Sequence, residues 1–468
     1  MVSMTEHAYP DPWSAPAASR PIHATVTVPG SKSLSNRFLI LAALGTTPVT
    51  LRGLLRSRDT ELMMDALRTL GVRCDVESDD ETTVTVTPPT DGRFHGSDTV
   101  YCGLAGTVMR FVPGLVLFAD GPVRFDGDRQ AYQRPMGPIL DGLGQLGATI
   151  DYEGEPGHLP FTITPPQHQR TGEQHQRVAI DSSSSSQFIS GLLLIGSRLA
   201  GGLDLTHTGE HLPSMPHIRM TMHDVEAAGG HISMPQPGHW LVEPASLTLP
   251  AGVTVEPDLS NAAPFLGAAM IASGTVSIPN WPYATTQPGG LLPGILQQMG
   301  ATVTLDGMAF DEASRLADAD PRGYAHRSGT LALTGNGDIT GLGDVDLSAA
   351  GEIAPSIAAL AALAGTPSAF HGIAHLRGHE TNRLAALVTE IRRIGGQAEE
   401  LPDGLVIGAV PRTSLHAAVM ETYADHRMAT FAAMIGLAIP GIGIRNIATT
   451  RKTIPDFPGM WADMLAQR

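Results

Sequence analysis

Of the 30 basic residues in this 468-residue chain only Lys32 and Lys452 are lysine, and each sits in a short motif suited to an anion. An ammonium is a compact point charge whose pKa moves readily on burial, so it can carry protons where a guanidinium cannot. Residues 26–45, VTVPGSKSLSNRFLILAALG, read as a strand, a Pro-Gly turn and a helix whose first turn holds Lys32, Ser33, Asn36 and Arg37. A spacing of four stacks Ser33 with Arg37 and Lys32 with Asn36. Free N–H groups at a helix start, hydroxyls and two cations together make a site for phosphate or carboxylate. A bare N-cap needs the serine but neither cation, which favours the ligand reading. The glycine spacing of a Walker loop is absent.

Other helix starts carry similar groups. In CGLAGTVMRFVPG, residues 102–114, Gly106 would let a ligand approach the backbone, although Gly-Thr before a helix is commonly a cap alone. The serine run of DSSSSSQFISGLLLIG, residues 181–196, follows a strand at 177–180 and leads straight into an apolar helix. No length is left for a linker, so the hydroxyls are read as phosphate contacts. HLRGHETNRLAALVTEI, residues 375–391, places Glu380 and Arg383 one turn apart, as a site pair or a structural ion pair. His375 and His379 lie four apart without a third ligand, so no metal site is expected. YADHRMATFAAMIGLA, residues 423–438, sets Asp425, His426 and Arg427 at a helix start. Lacking a nucleophile, the Asp-His pair reads as positioning for Arg427. Lys452 precedes the last helix in RKTIPDFPGM, and Glu352 precedes an alanine-rich helix at 347–365. That glutamate is either a helix-dipole partner or a general base.

The elements that must position these groups follow from length and pattern. At this length two or three domains are expected. A net charge of −16 argues against nucleic-acid and membrane-surface partners, so an anion must be held by a local cation cluster. Cys74 and Cys102 are the only cysteines, too few for a disulfide scaffold and consistent with a reducing cytosol. Residues 1–20 lack a secretory pattern and read as a disordered extension. No stretch is long and apolar enough to span a membrane.

One unit recurs five times: an amphipathic helix, a glycine, then a β-branched strand. The helices at 62–70, 138–146, 219–228, 290–299 and 386–394 end at Gly71, Gly147, Gly229, Gly300 and Gly395. Glycine there supplies the left-handed cap that turns the chain into the strand. A sixth helix, 456–467, has no strand after it, while a strand at 24–28 lacks a partner. That strand is expected to close the last subdomain, with crossovers between halves near Gly30 and Pro257. Segments 154–177 and 311–327 read as surface loops or insertions.

GSKSLSNR, LAGTVMR, QRPMG, SSQF, DHRMA and KTIPDF, in this order, resemble the 5-enolpyruvylshikimate-3-phosphate synthases of the enolpyruvyl transferase family from about residue 23 to 466. The resemblance implies an α/β (α+β) fold of two domains hinged over a central cleft. Each domain would comprise three βαβαββ-type subdomains, an inside-out α/β barrel. Residues 31–256 would form the shikimate-3-phosphate side, and 21–30 plus 257–468 the second domain. Shikimate 3-phosphate would meet Lys32, Ser33, Arg37, Ser185, Ser186, Gln187, Ser214, Glu352 and His379. Phosphoenolpyruvate would meet Lys32, Gly106, Arg134, Gln187, Arg383, Arg427 and Lys452. Lys32, Glu352 and Glu380 would be catalytic, Glu352 taking the acceptor hydroxyl's proton while Lys32 and Glu380 serve the enolpyruvyl carbon.

No cofactor or metal is implied, and the partners would be these two small molecules. A cytoplasmic monomer is expected. Glyphosate would occupy the phosphoenolpyruvate site, where Gly106 has no side chain to intrude. Three positions depart from the family pattern. Leu104 stands where Asn is common, so a polar contact is missing or comes from elsewhere. Glu352 replaces a frequent Asp and His379 a frequent Lys. A charged His379 would make substrate affinity fall as pH rises through the histidine range. The rivals are a UDP-N-acetylglucosamine enolpyruvyl transferase, which typically carries a loop cysteine that neither Cys74 nor Cys102 matches, and a non-catalytic polyanion binder of the same fold.

Overall fold

A computed structural model describes residues 9–167, 174–211, 214–325 and 327–467. The chain divides into two compact units, Gly30–Glu256 and Met1–Pro29 with Pro257–Arg468. Among the described residues each contains three sheets, and every sheet is open, so the expected barrel is not a closed one.

In the Gly30–Glu256 unit one pattern is used three times. Strand Thr99–Tyr101 runs parallel to Val123–Asp126 across the Gly106–Phe111 helix, Phe161–Thr164 pairs antiparallel to Val123–Asp126, and Thr149–Tyr152 pairs antiparallel to Phe161–Thr164. Strand Gln176–Ile180 and its followers repeat that order. The remaining sheet borrows its first strand, Gly252–Thr254, from the far end of the unit, parallel to Val49–Arg52. Segment 154–177, expected to be loop, therefore contains a sheet strand at Phe161–Thr164 and the start of another, while 168–173 lie outside the described residues.

The other unit borrows twice. Strand Ile22–Thr25 runs parallel to Gly274–Pro282, in the first sheet after residue 257 rather than the last. It is Trp13–Ser14 that completes the last sheet, antiparallel to Gly443–Ile444. Trp13 is buried and Asn446 N–H donates to Asp11 Oδ1 at 2.9 Å, so residues 9–20 are not the disordered extension expected of them. Residues 1–8 of that extension lie outside the described residues. Segment 311–327, expected as loop, is largely the helices Phe310–Ala319 and Pro321–Tyr324. Ala313 and Ala317 are buried in the longer one, on the face where Phe310, Ala313, Leu316 and Ala317 recur at helical spacing.

Several helices that reach the candidate residues are apolar nearly all round, the mark of a buried helix, whereas Arg383–Arg393 is amphipathic. Lys32–Leu44, Gly106–Phe111 and Ser186–Gly196 pack together in one unit; Leu259–Ala272, Ala354–Ala362 and His426–Ala438 do so in the other. Each buried leucine contributes about 1.5–3 kcal/mol, and together these helices form the centres of the two cores. At Gly191 a Cβ would lie 2.3 Å from the Arg110 carbonyl oxygen, so only glycine allows those helices to approach. All five cap glycines have positive φ, +101° at Gly147 for example. Their backbones turn where the sequence places them.

Candidate active site

The N-termini of the buried helices carry the chemistry. In the Gly30–Glu256 unit Ser31 Oγ accepts from Leu34 N–H, starting the helix at Lys32. Lys32 Nζ faces Asp59 Oδ2 at 3.6 Å. One turn on, Arg37 is 2% exposed. Its Nε donates to Thr221 Oγ1 (2.8 Å), Nη1 to the Ser33 carbonyl (3.0 Å) and Nη2 to the His217 carbonyl (3.1 Å). His217 Nδ1 shares a 2.6 Å hydrogen bond with Ser214 Oγ. Ser33, Arg37 and Ser214 are thus gathered in one place. The buried Asp224 lies in the field of Arg37, yet burial outweighs that cation and pushes its carboxyl up to about 8.

A second group forms around Gly106. Asn36 Nδ2 donates to Thr107 Oγ1 at 2.9 Å, tying the Lys32–Leu44 and Gly106–Phe111 helices together. A Cβ at Gly106 would meet Arg110 Nη1 and Arg134 Nη2 at 3.1 Å and Gln187 Oε1 at 3.2 Å. These groups therefore converge on bare backbone. Arg134 Nη1 donates to the Leu104 carbonyl at 3.0 Å, so at this position the backbone supplies a polar contact. Ser185 caps the next helix by accepting from Gln187 N–H, with Ser186 buried behind it. Arg110 donates to the Pro135 carbonyl and lies over the Phe188 ring. Burial, then the charge of Arg134, lowers the Arg110 pKa to about 9.

In the other unit the acids and bases interlock. Arg383 is buried; its Nε donates to Asp425 Oδ2 at 2.7 Å and its Nη2 to Asp425 Oδ1 at 3.2 Å and Glu380 Oε2 at 2.8 Å. Lys452 Nζ donates to Glu380 Oε1. Arg427 Nη2 lies 3.8 Å from Glu352 Oε2, which also accepts from Ser260 Oγ. Asp425 Oδ1 accepts from Arg427 N–H as a helix cap, but its ion-pair partner is Arg383. The reading of Asp425 as support for Arg427 therefore captures only the backbone half of its role.

His379 departs further from expectation. Its Nδ1 lies 3.0 Å from Arg383 Nη1, a permanent donor, so that nitrogen must accept and the ring is neutral. Desolvation and then the Arg383 charge lower its pKa to about 3. The residue is nevertheless exposed to solvent, which weakens the desolvation argument and makes the Arg383 hydrogen bond the firmer of the two reasons. A cationic His379 at pH 6–8 is inconsistent with this arrangement.

Sequence reading overlooked Asp59, Arg110, Thr221 and His217. Arg110 lies within the quoted LAGTVMR segment, whereas the other three reach the site only through long-range contacts. His375 and His379 are 5.8 Å apart between ring centres, and no cluster of three or more His, Cys, Asp or Glu among the described residues could hold a metal ion. Both cysteines are buried, and desolvation raises both thiol pKa values, that of Cys74 to about 11. Neither is the accessible, low-pKa thiol of a loop nucleophile.

The profile of EPSP synthase (3-phosphoshikimate 1-carboxyvinyltransferase) matches residues 16–461. This chain belongs to the EPSP synthase family. A 3-phosphoshikimate 1-carboxyvinyltransferase of Bifidobacterium longum (strain DJO10A) is 65% identical over 459 residues, 97% of this chain and 98% of the relative. Among solved structures, EPSP synthase of Acinetobacter baumannii aligns with a TM-score of 0.76 at 23% identity, over 96% of this chain and 97% of that one. The enolpyruvyl transferase NikO of Streptomyces tendae aligns at 0.69 and 18%, over 96% of each. Those two likenesses establish the fold, and the family's motifs fall on the helix starts described above. No helix among the described residues is long and apolar enough to cross a membrane.

Proposed function

We propose that this chain transfers the enolpyruvyl group of phosphoenolpyruvate to the 5-hydroxyl of shikimate 3-phosphate and releases phosphate, the 3-phosphoshikimate 1-carboxyvinyltransferase reaction of aromatic amino acid biosynthesis. Membership of the EPSP synthase family supports it. The observation that carries the residue roles is the placing of two carboxylates, Glu352 and Glu380, directly against cations. A passive anion binder would gain nothing from acids beside its ligand, since they raise the cost of bringing in negative charge.

Shikimate 3-phosphate is assigned to Lys32, Ser33, Arg37, Ser185, Ser186, Gln187, Ser214, Glu352 and His379, the last as a neutral group. Phosphoenolpyruvate is assigned to Lys32, Gly106, Arg134, Gln187, Arg383, Arg427 and Lys452. Each substrate bears a phosphate and a carboxylate, which fixed cations hold without reorganisation as charge shifts in the transition state. The 5-hydroxyl oxygen attacks C2 of phosphoenolpyruvate and yields its proton to Glu352. C3 receives a proton from Lys32 or Glu380, giving a tetrahedral adduct. That adduct expels phosphate as the new methyl group returns a proton, restoring the enol ether. Glu352 keeps 31% of its side chain exposed, so a hydroxyl can reach it. The enzyme is proposed to work as a cytoplasmic monomer with these small-molecule partners, and glyphosate is expected to compete with phosphoenolpyruvate.

Phosphate release from phosphoenolpyruvate tests the reading. Release with shikimate 3-phosphate, and none with UDP-N-acetylglucosamine or without acceptor, is the expected result. Release with the sugar nucleotide would transfer the assignment to that rival, and no release in any arm would leave an anion binder. Near-normal turnover in Glu352→Ala would remove Glu352 as the base.

A further inference from the structure

Immediately before Asp425 the backbone takes an unusual course. Tyr423 and Ala424 have φ of +54° and +56°, within a turn closed by Asp425 N–H donating to the Thr422 carbonyl at 2.8 Å. Turns with two left-handed residues favour Asn and Gly, because a Cβ crowds that backbone. With tyrosine and alanine in those places, contacts outside the turn must hold it.

Two contacts do so. Glu390, fully buried on the Arg383–Arg393 helix, accepts from Tyr423 O–H at 2.7 Å through Oε1. Its Oε2 accepts from Glu421 N–H at 3.2 Å and Arg393 Nε at 2.9 Å. On the other side, the Ala424 carbonyl accepts from Thr449 Oγ1 at 2.8 Å, in the Ile447–Lys452 3-10 segment that ends at Lys452. The contacts form a ring: Arg383 begins the helix that carries Glu390, Glu390 holds Tyr423, the turn leads to Asp425, and Asp425 holds Arg383. Burial, then the bond to Glu390, pushes the Tyr423 phenol up to about 12, so it remains a donor in neutral solution.

We propose that Glu390, Tyr423 and Thr449 are positioning residues: they fix the left-handed turn whose Asp425 aims Arg383 and whose Ala424 carbonyl anchors the segment bearing Lys452. This rests on the assignment of Arg383 and Lys452 to phosphoenolpyruvate in the preceding section. The ring acts directly on that substrate's cations and reaches shikimate 3-phosphate only through the Arg383–His379 hydrogen bond, so its loss should alter the first Michaelis constant far more than the second.

The test uses full-length Tyr423→Phe, Thr449→Val, the double variant and Thr449→Ser, which restores the hydroxyl. The double variant is expected to raise KM for phosphoenolpyruvate about tenfold, with KM for shikimate 3-phosphate within about twofold of the parent. Thr449→Ser should match the parent. An unchanged KM for phosphoenolpyruvate, a parallel rise in both constants, or a Thr449→Ser variant as impaired as Thr449→Val would overturn the proposal. A second readout needs no turnover: the Arg383 Nε–H resonance in arginine-labelled protein, identified by its loss in Arg383→Lys. It should shift in the double variant, and its constancy would also overturn the proposal. Should the parent release no phosphate, the functional reading fails, and the resonance alone decides the ring.

Discussion

The two units hold their cations in different ways. Around Lys32 and Gly106, the guanidinium hydrogen bonds described go to neutral oxygens: Thr221 Oγ1 and backbone carbonyls for Arg37, the Leu104 carbonyl for Arg134 and the Pro135 carbonyl for Arg110. Asp224, a carboxyl in the field of Arg37, is pushed by burial up to about 8. Around Arg383 the cations meet carboxylates instead: Asp425 and Glu380 for Arg383, Glu380 for Lys452 and Glu352 for Arg427. Dipoles orient a cation without cancelling its charge. Carboxylates cancel charge but can move protons. Lys32, facing Asp59, is the member of the first cluster that meets a carboxylate.

The comparison can be broken at several points. Lys32→Met should reduce turnover by about 10²–10⁴ while leaving the melting temperature near the parent's, because its pair with Asp59 is partly solvated. A fall in stability matching the loss of rate would make Lys32 structural. Next in size is Asp425→Ala, which removes the buried carboxylate partner of Arg383, leaves it only the partly exposed Glu380, and should cost about 3 kcal/mol in the urea transition of its unit. Arg134→Gln, from the neutral-partner cluster, should change stability by less than about 0.5 kcal/mol while weakening phosphoenolpyruvate binding. Equal destabilisation by the two changes would erase the distinction.

Asp224 offers a finer probe. Its carboxyl titrates near 3.8 when unfolded and near 8 when folded, so between those values the native state keeps a proton that the unfolded chain releases. Stability from this group is complete below the lower value and is lost as pH rises through the upper one. The parent should lose about 1.4 kcal/mol per pH unit in that window relative to Asp224→Asn, measured by urea unfolding. The smallest effect concerns His379, neutral in the fold. Parent and His379→Gln should show superimposable pH profiles of shikimate 3-phosphate affinity from pH 6 to 8. Because the folded pKa lies below the unfolded 6.5, this histidine's contribution to stability is lost as pH falls from 6.5 toward 3, a loss that His379→Gln escapes.

How far the sequence was legible depended on the range of the interaction. Gly71, Gly147, Gly229, Gly300 and Gly395 marked their helix ends because a left-handed cap is decided by one residue's own sterics. The strand read at 24–28 lies at Ile22–Thr25, two to three residues earlier, and its partner was not visible, since parallel pairing with Gly274–Pro282 joins segments some 250 residues apart. Phe310–Ala319 was legible but read as loop: Phe310, Ala313, Leu316 and Ala317 recur at helical spacing in an otherwise polar segment. Asp425 was seen beside Arg427, its neighbour, while its buried ion pair lies 42 residues away at Arg383. His379 was read from its ordinary pKa, which the contact with Arg383 overrides.

By itself, then, the sequence settled which residue types stand at which helix starts, the two lysines, the repeated helix–glycine–strand unit and the family they indicate, because those depend on neighbours within a turn or two. Tertiary structure alone decided which carboxylate faces which cation, which histidine stays neutral, and which strand from the chain's beginning completes which sheet. Charge states and pairings follow from distances and burial, and those are set only when remote segments pack together.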